Sequence, residues 1–269
     1  MRCYGVLVAA ILGSTLLALE GLGERAFGQS AQNQSASATL KAARIALGGE
    51  SKLAAVNSLI MRGENRRPNQ LYGVHPDAKE QYSSEPIEIR VLLPDNYFKM
   101  TLSGGYPWRT GFSGKDLIYE IDVPGDHKVA SFVSPEMIDE YRTELARLML
   151  LMLLRTDTVL PAKLHDSSES STRLEFNGVG EFPVIVNLDA MSHLPKSLNY
   201  QVRIHTKMSG PPTGESINAV MTVDDWREVN GLQLPHHLLE TSGGSIRYDI
   251  HFQSIEINPP LKPSDFKKK

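Results

Sequence analysis

Few residues of this 269-residue chain have the types and spacing that enzyme chemistry requires. Residues 111–115 (GFSGK) lack the final glycine of the nucleophile elbow that hydrolases use. The sequence contains neither an HExxH metal motif nor a phosphate-binding glycine loop. Asp224 and Asp225 lie at a predicted turn, where aspartate is common, and acid catalysis would need a second carboxylate across a cleft. We therefore predict no catalytic residue and no enzymatic activity.

The histidines are weak candidates for a metal site. His236 and His237 are adjacent in a predicted strand, so their side chains point to opposite faces of the sheet. His205 and His251 lie on polar strand faces and could meet if those two strands pair. Zinc usually needs three or four convergent ligands. The sequence therefore predicts no metal and no other cofactor.

The overall charge argues against a nucleic-acid partner. The net charge is −3, and the composition, 41% apolar and 22% charged, is that of an ordinary globular protein. Binding of phosphates requires a concentrated basic surface. The densest basic cluster is residues 267–269 at the C-terminus, which is typical of a solvated end.

The N-terminus has the features of a secretory signal peptide. Arg2 is followed by an apolar run over residues 6–19, which is shorter than the ~20 residues that a membrane span needs. Ala26 and Gly28 supply the small residues before a cleavage site, so we predict a signal peptide at residues 1–28. An uncleaved membrane anchor is the alternative. Cleavage would remove Cys3, the single cysteine, and a packed core would then supply all the stability.

The mature chain is predicted to form a single domain. Residues 29–37 (QSAQNQSAS) are small and polar and indicate a flexible leader. Residues 38–269 show no boundary, because the long loops do not separate segments of different composition. Two short helices are expected before a first strand at residues 58–64, and residues 65–85 are rich in turn formers and predict a long loop.

Strict alternation of apolar and polar residues predicts antiparallel strands with one face on a core and one in water. In the early strands Phe98 and Met100 are the apolar phase and Lys99 the polar phase. In the late strands Gln201 and Arg247 belong to the polar phase, which we predict to face water. The apolar phase of the late strands comprises Leu198, Tyr200, Val202, Ile204, Ile246, Tyr248, Ile250 and Phe252.

A helix is predicted over residues 135–154, beginning after Ser134 with a proline in its first turn. Its first part is amphipathic, whereas its last turns are apolar on every side, since Leu150, Leu151 and Leu154 fall on the side that is polar earlier. Such a segment must be covered all round. The cover is protein core, a hydrophobic ligand, or a membrane or partner surface. Met149 and Met152 suit a ligand because their thioethers adapt to variable apolar shapes.

The order of these segments resembles the outer-membrane lipoprotein-sorting carriers and their bacterial relatives. The resemblance spans residues 38–266 and includes ALGGESKLAAVNSLIMRGE, VLLPDNYFKM, the central apolar helix, LPKSLNY, DDWREVNGLQLPHHLLE and IHFQSIEINPPLKPSDF. The closing pattern is the most specific part: Gly231, Leu234 with Pro235, Asn258 with Pro259, and Phe266. The resemblance implies an α+β fold, a strongly curved antiparallel sheet (an unclosed β-barrel) with helices covering its apolar concave face.

The resemblance also implies a function, because these carriers hold acyl chains between the sheet and the helices. We expect a periplasmic, carrier-like protein without chemistry that binds a hydrophobic ligand, a lipid or a lipoprotein acyl chain, and meets an envelope membrane. The alternative is a structural or assembly protein of the cell envelope. The arginine that fastens the carriers' lid helix has no assigned counterpart, since Arg90 and Arg203 fall on polar phases. The predicted cavity lining is Leu148, Met149, Leu150, Leu151, Met152, Leu154, Tyr200, Val202, Tyr248, Ile250 and Phe252.

Overall fold

The computed structural model describes residues 36–68, 82–103, 105–129, 134, 137–152, 162–167, 171–204 and 214–267. The predicted signal peptide and Leu154 lie outside the described residues. Helix α1 covers residues 36–46 and helix α2 Glu50–Ala54. Two residues that we placed in the flexible leader, 36 and 37, are therefore already helical, and Ala36 is fully buried in the core.

The strands of the described residues form one antiparallel sheet of 13 strands. The strands are β1 (Ser58–Pro68), β2 (Tyr82–Leu92), β3 (Asn96–Ser103), β4 (Tyr106–Ser113), β5 (Asp116–Val123), β6 (Asp126–Val129), β7 (Lys163–Ser167), β8 (Ser171–Phe176), β9 (Val184–Asp189), β10 (Pro195–Arg203), β11 (Ser216–Val229), β12 (Leu232–Ser242) and β13 (Ser245–Ile257). Their order is β6-β5-β4-β3-β2-β1-β13-β12-β11-β10-β9-β8-β7. Strands β6 and β7 lie at opposite edges, so the sheet is not closed.

Strands β1 and β2 extend into the segment that we predicted to be a loop. Their backbones pair from Ser58 opposite Leu92 to Pro68 opposite Tyr82, so the prediction of a loop over residues 65–85 was wrong at both ends. Polar composition was the misleading signal. Asn65 is 1% exposed, and its Oδ1 accepts a hydrogen bond from the Asp249 backbone N–H at 3.1 Å. Residues 69–81 lie outside the described residues.

Helix α3 (Met137–Leu151) shows that the sheet curves. It contacts β3, β4 and β5 on one side and β10 on the other, and β4 and β10 are third and tenth in the strand order. Seven spacings in a flat sheet would separate them by about 34 Å. The helix is only about 22 Å long, so the two halves of the sheet must bend towards each other around it.

The last described turn of α3 is enclosed by protein. Leu150, Leu151 and Met152 each have 0% exposure and belong to the main core cluster. These three residues are therefore covered by the protein core, and not by a ligand, a membrane or a partner. Within the part of the chain that the structure describes, no helix has both the length and the apolar character that a membrane span requires.

The alternation predicted for the late strands is confirmed on their inner phase. Leu198, Tyr200, Ile250 and Phe252 are buried in the main core. Ile204 departs from the pattern: β10 ends at Arg203, and Ile204 is 43% exposed. The alternation therefore extended one residue beyond the paired strand.

The orientation predicted for β3 was wrong, because both faces of this strand are covered. Phe98 packs against Phe266 of the short 3₁₀-helix Pro263–Phe266, with ring centroids 5.6 Å apart. Tyr97 and Lys99 face the other way and are 1% and 6% exposed. The C-terminal segment thus supplies a small second core for the apolar phase, and the polar phase carries Lys99 inward.

Candidate ligand-binding cavity

A cavity of about 970 Å³ lies beside α3, between β3–β5 and β10–β13. Its apolar lining includes Trp108, Tyr119, Met137, Phe182, Tyr200, Val202, Ile217 and Met221. Its charged lining includes Lys99, Glu140, Glu144, Arg147, Glu181, Arg203, Glu240 and Arg247. The side of α3 that borders the space is mainly its polar side, whereas the apolar sides pack into the core. The space therefore offers both hydrophobic surface and fixed charges.

An ion pair joins α3 to β3 at this cavity. Lys99 Nζ donates to Glu144 Oε1 at 2.5 Å and to Tyr248 Oη at 3.1 Å. Burial alone would lower the pKa of Lys99 and raise that of Glu144. Burial is the largest single effect in each case, but the opposite charge and hydrogen bond of the partner, together with neighbouring groups such as Tyr97, outweigh it. The pKa of Lys99 is therefore raised and the pKa of Glu144 is lowered. Both groups are therefore charged at neutral pH.

A second polar contact joins α3 to β10. The Arg147 guanidinium lies 4.1 Å from the centroid of the Tyr200 ring, within range of a cation–π interaction. Arg147 Nε is buried without an acceptor among the described residues. Burial lowers the pKa of Arg147, although it remains far above neutral. Arg147 thus presents a partly unsatisfied cation at the edge of the cavity.

Glu240 is the buried acid of the cavity, with 7% of the residue exposed. Burial raises its pKa, and Arg247 partly opposes that shift. Arg247 Nη1 donates to Glu240 Oε1 at 3.4 Å. Arg247 was predicted to face water with Gln201. It lies at a register shift, between Tyr248 paired with Glu240 and Ile246 paired with Thr241, and it borders the cavity with its side chain 37% exposed.

The predicted lining residues divide into two groups. Tyr200, Val202 and Tyr248 border the cavity. Leu154 lies outside the described residues. The others pack in the main core and are not among the residues that border the cavity: Leu148, Met149, Leu150, Leu151, Met152, Ile250 and Phe252.

The charged lining was missed by sequence reasoning. Glu144 and Arg147 belong to the polar side of the amphipathic part of α3, and a helical wheel cannot separate a water-facing side from one that borders a polar cavity. Lys99 was assigned outward for the same reason in a strand. For β3 the sequence did contain a signal. Phe266 in the C-terminal pattern needs an apolar partner, and if Phe98 is that partner, Lys99 points to the opposite face, towards the cavity.

The residues considered for chemistry are engaged in structural contacts. Ser113 Oγ donates to Asn96 Oδ1 at 2.8 Å. His236 is buried, and its Nδ1 lies 2.8 Å from the Phe252 carbonyl oxygen, while His237 is on the other face as predicted. His205 lies outside the described residues. Strand β10, which ends at Arg203, is not adjacent to β13, which carries His251.

Solved structures of lipoprotein-sorting type resemble this chain. A domain from Vibrio parahaemolyticus named for outer membrane lipoprotein sorting matches with a TM-score of 0.50 and 14% identity, over 86% of this chain and 97% of that chain. A LolA-superfamily protein from Nitrosomonas europaea matches with a TM-score of 0.48 and 12% identity, over 84% and 97% of the two chains. No family model matches the chain, and no curated protein gives a significant match.

The comparison with the Vibrio parahaemolyticus domain defines the class of fold. The likeness to the first structure confirms, at the level of fold, the resemblance that the sequence motifs indicated. The chain has a large, open antiparallel sheet of the lipoprotein-sorting type. At 14% identity the likeness concerns the fold alone, so the function is argued from the cavity.

Proposed function

We propose that this protein is a periplasmic carrier that binds the acyl chain of a lipid or lipoprotein in the cavity beside α3, without chemistry. The observation that carries the proposal is the cavity of about 970 Å³, at the upper end of the range for small-molecule sites. The resemblance in fold to a lipoprotein-sorting domain supports it.

The physical basis of binding is burial of methylene groups. Each CH₂ that moves from water into an apolar site contributes about 0.8 kcal/mol. Val202, Ile217 and Met221 offer such surface on β10 and β11. The polar end of an amphiphile would remain near Lys99 and Arg147, where fixed charges replace part of its hydration.

We infer that α3 acts as the cover of the concave face and moves to admit the ligand. Its polar contacts with the sheet at the cavity include the Lys99–Glu144 ion pair, the Arg147–Tyr200 contact and a hydrogen bond of 3.5 Å from Arg147 Nη2 to the Gln201 carbonyl oxygen. Lys99 would take the role that an inward arginine has in the carriers that the sequence resembles. A polar attachment suits a moving cover, because water can replace its hydrogen bonds when the helix swings away.

Lipid extraction of the purified mature protein, together with native mass spectrometry, tests the proposal. We expect a bound species whose mass corresponds to a lipid or acylated peptide, and its loss after delipidation. Protein that carries no lipid and does not take up a fatty acid after mixing would refute the carrier function.

Export to the periplasm is part of the same proposal and rests on residues 1–28. N-terminal sequencing of protein from the envelope fraction should give a mature start near Gln29. An intact Met1 in that fraction would contradict the predicted cleavage.

A structural role in the cell envelope is the second candidate. Leu150, Leu151 and Met152 favour it, because their complete burial in the core explains the apolar end of α3 without any ligand. On this alternative the cavity would hold only water. The extraction experiment separates the two, since a structural protein would yield no stoichiometric lipid.

A further inference from the structure

A cluster of two histidines and two aspartates lies on the outer face of the sheet, away from the cavity. Strand pairing places Asp224 of β11 opposite His237 of β12, and His237 opposite His251 of β13. Asp249 precedes His251 by two residues, so its side chain leaves β13 on the same face. Three neighbouring strands thus bring four side chains with metal-binding atoms to one place.

One ligand atom from each of His237, Asp249 and His251 lies within 4.8 Å of the other two. Asp249 Oδ1 lies 2.8 Å from His237 Nε2 and 3.1 Å from His251 Nε2. The two imidazole rings are stacked, with centroids 4.2 Å apart and planes within 12°. Because a metal ion lies in the plane of each imidazole that binds it, the more exposed ring, His251, would turn out of this stack on binding. A tetrahedral cation with ligands at about 2.0–2.1 Å spaces its ligand atoms about 3.3 Å apart. The two distances to Asp249 Oδ1 are shorter than that spacing, as hydrogen-bond distances are, so the ligand atoms would move apart slightly around an ion.

Asp224 gives His237 the orientation that a metal ligand needs. Its Oδ1 lies 2.8 Å from His237 Nδ1, on the side of the ring away from Asp249. A carboxylate that accepts the Nδ1 proton orients the ring as in many metal-binding histidines. A cation bound at Nε2 would replace the proton that joins Nε2 to Asp249 Oδ1 at 2.8 Å. Asp224 therefore does not bind the ion itself but orients His237, which does.

Charge and support also fit a divalent cation. With both imidazoles neutral, the form in which histidine binds a metal, the two carboxylates give the cluster a charge of −2. In the part of the chain that the structure describes, neither carboxylate pairs with a lysine or an arginine. The side chains of His237 and Asp249 are 20% and 19% exposed and stand on paired strands, so little ordering is required on binding. The side chain of His251, at 37%, leaves one side open to water.

We propose that His237, Asp249 and His251 bind one divalent transition-metal ion of the zinc class on the outer face of β12 and β13, with Asp224 as the positioning residue. Two imidazoles and one carboxylate favour Zn²⁺, Co²⁺, Ni²⁺ or Cu²⁺ over Ca²⁺ and Mg²⁺, which prefer oxygen ligands alone. A water molecule would complete the coordination. The ion would cross-link β12 and β13. This proposal does not depend on the proposed lipid function.

The experiment uses the full mature protein without a polyhistidine tag, treated with a chelator and then dialysed. Titration with Zn²⁺ should show one equivalent bound. His237→Gln and His251→Gln should each weaken the affinity more than about tenfold, and Asp224→Asn by about tenfold. His193→Asn is the matched control, because His193 is exposed in the β9–β10 turn at a φ of 58° that asparagine tolerates. This variant should bind Zn²⁺ with the affinity of the wild type.

Cobalt provides a readout that needs no variant. Co²⁺ added to the wild-type protein should give the intense visible absorption of a four-coordinate site, and Zn²⁺ should abolish it by displacement. The absence of saturable Zn²⁺ binding would overturn the proposal. Binding that is unchanged in both histidine variants would do the same, as would a Co²⁺ spectrum identical to that of the aqueous ion.

Discussion

The ion pair between Lys99 and Glu144 should be the strongest single polar link between α3 and the sheet. The side chain of Lys99 is 7% exposed and that of Glu144 is 30% exposed. Removing one member of a buried pair usually costs about 3–5 kcal/mol, because the other charge is left without a partner. Since Glu144 keeps some contact with water, we expect Lys99→Met to lower the free energy of unfolding by about 3 kcal/mol.

A double-mutant cycle isolates the contribution of the pair. Glu144→Gln alone should also cost about 3 kcal/mol, since it leaves the Lys99 ammonium unpaired in the interior. The double variant should cost about 4 kcal/mol rather than the sum of the two, which corresponds to a coupling energy of about 2 kcal/mol. Urea unfolding followed by circular dichroism measures all four proteins.

An exposed lysine provides the control for the cycle. Lys196 pairs with Asp189 at 2.9 Å, but its side chain is 57% exposed. Lys196→Met should therefore change the free energy of unfolding by less than about 1 kcal/mol. If the Lys99 and Glu144 effects add within about 0.5 kcal/mol, the two side chains are independent and the description of how α3 is held is wrong.

Three further predictions follow from packing and charge. Leu151→Ala should lower the free energy of unfolding by about 3 kcal/mol, because it leaves a cavity in the core, whereas Met191→Ala, at a residue 92% exposed, should change it by less than about 0.5 kcal/mol in the same urea melts. Gly63→Ala should destabilise by about 1–3 kcal/mol, because an added Cβ would collide with the His251 carbonyl oxygen; thermal melts equal to the wild type would contradict this close approach. The stability that Glu144 provides should be present above its ordinary pKa of 4.5 and lost as the pH falls through its lowered pKa. The difference in free energy of unfolding between wild type and Glu144→Gln should therefore shrink on acidification. A difference that grows on acidification would contradict the lowered pKa.

Several features of the fold were predictable because they follow from period and turn chemistry. Leu198 and Tyr200 alternate with polar neighbours, and the structure buries them as that pattern requires. The expectation that polar residues of an alternating strand face water failed at β3. An alternating strand has an apolar face, but its polar face can also be covered by protein. Lys99 could be placed inward only by knowing that Phe266 returns to cover Phe98 on the other face.

The cavity and the histidine cluster depend on register, which a single sequence specifies poorly. The polar side of α3 borders a space between distant strands, and nothing in the helix itself distinguishes that space from bulk water. His237 and His251 are 14 residues apart and meet only because of the pairing of β12 with β13. The pair that the sequence suggested was His205 with His251, and His205 lies outside the described residues.

The central claim, that the cavity beside α3 binds an acyl chain, is tested most directly by filling the cavity. Val202 borders it on β10, whereas Thr222 is exposed on the neighbouring strand β11 and is not among the lining residues. The measurement is a titration of delipidated protein with a fluorescent fatty acid for wild type, Val202→Trp and Thr222→Trp. We expect saturable binding that Val202→Trp weakens at least about tenfold, or about 1.4 kcal/mol, and that Thr222→Trp leaves unchanged. Equal affinities in the two tryptophan variants, with both folded by circular dichroism, would contradict the account.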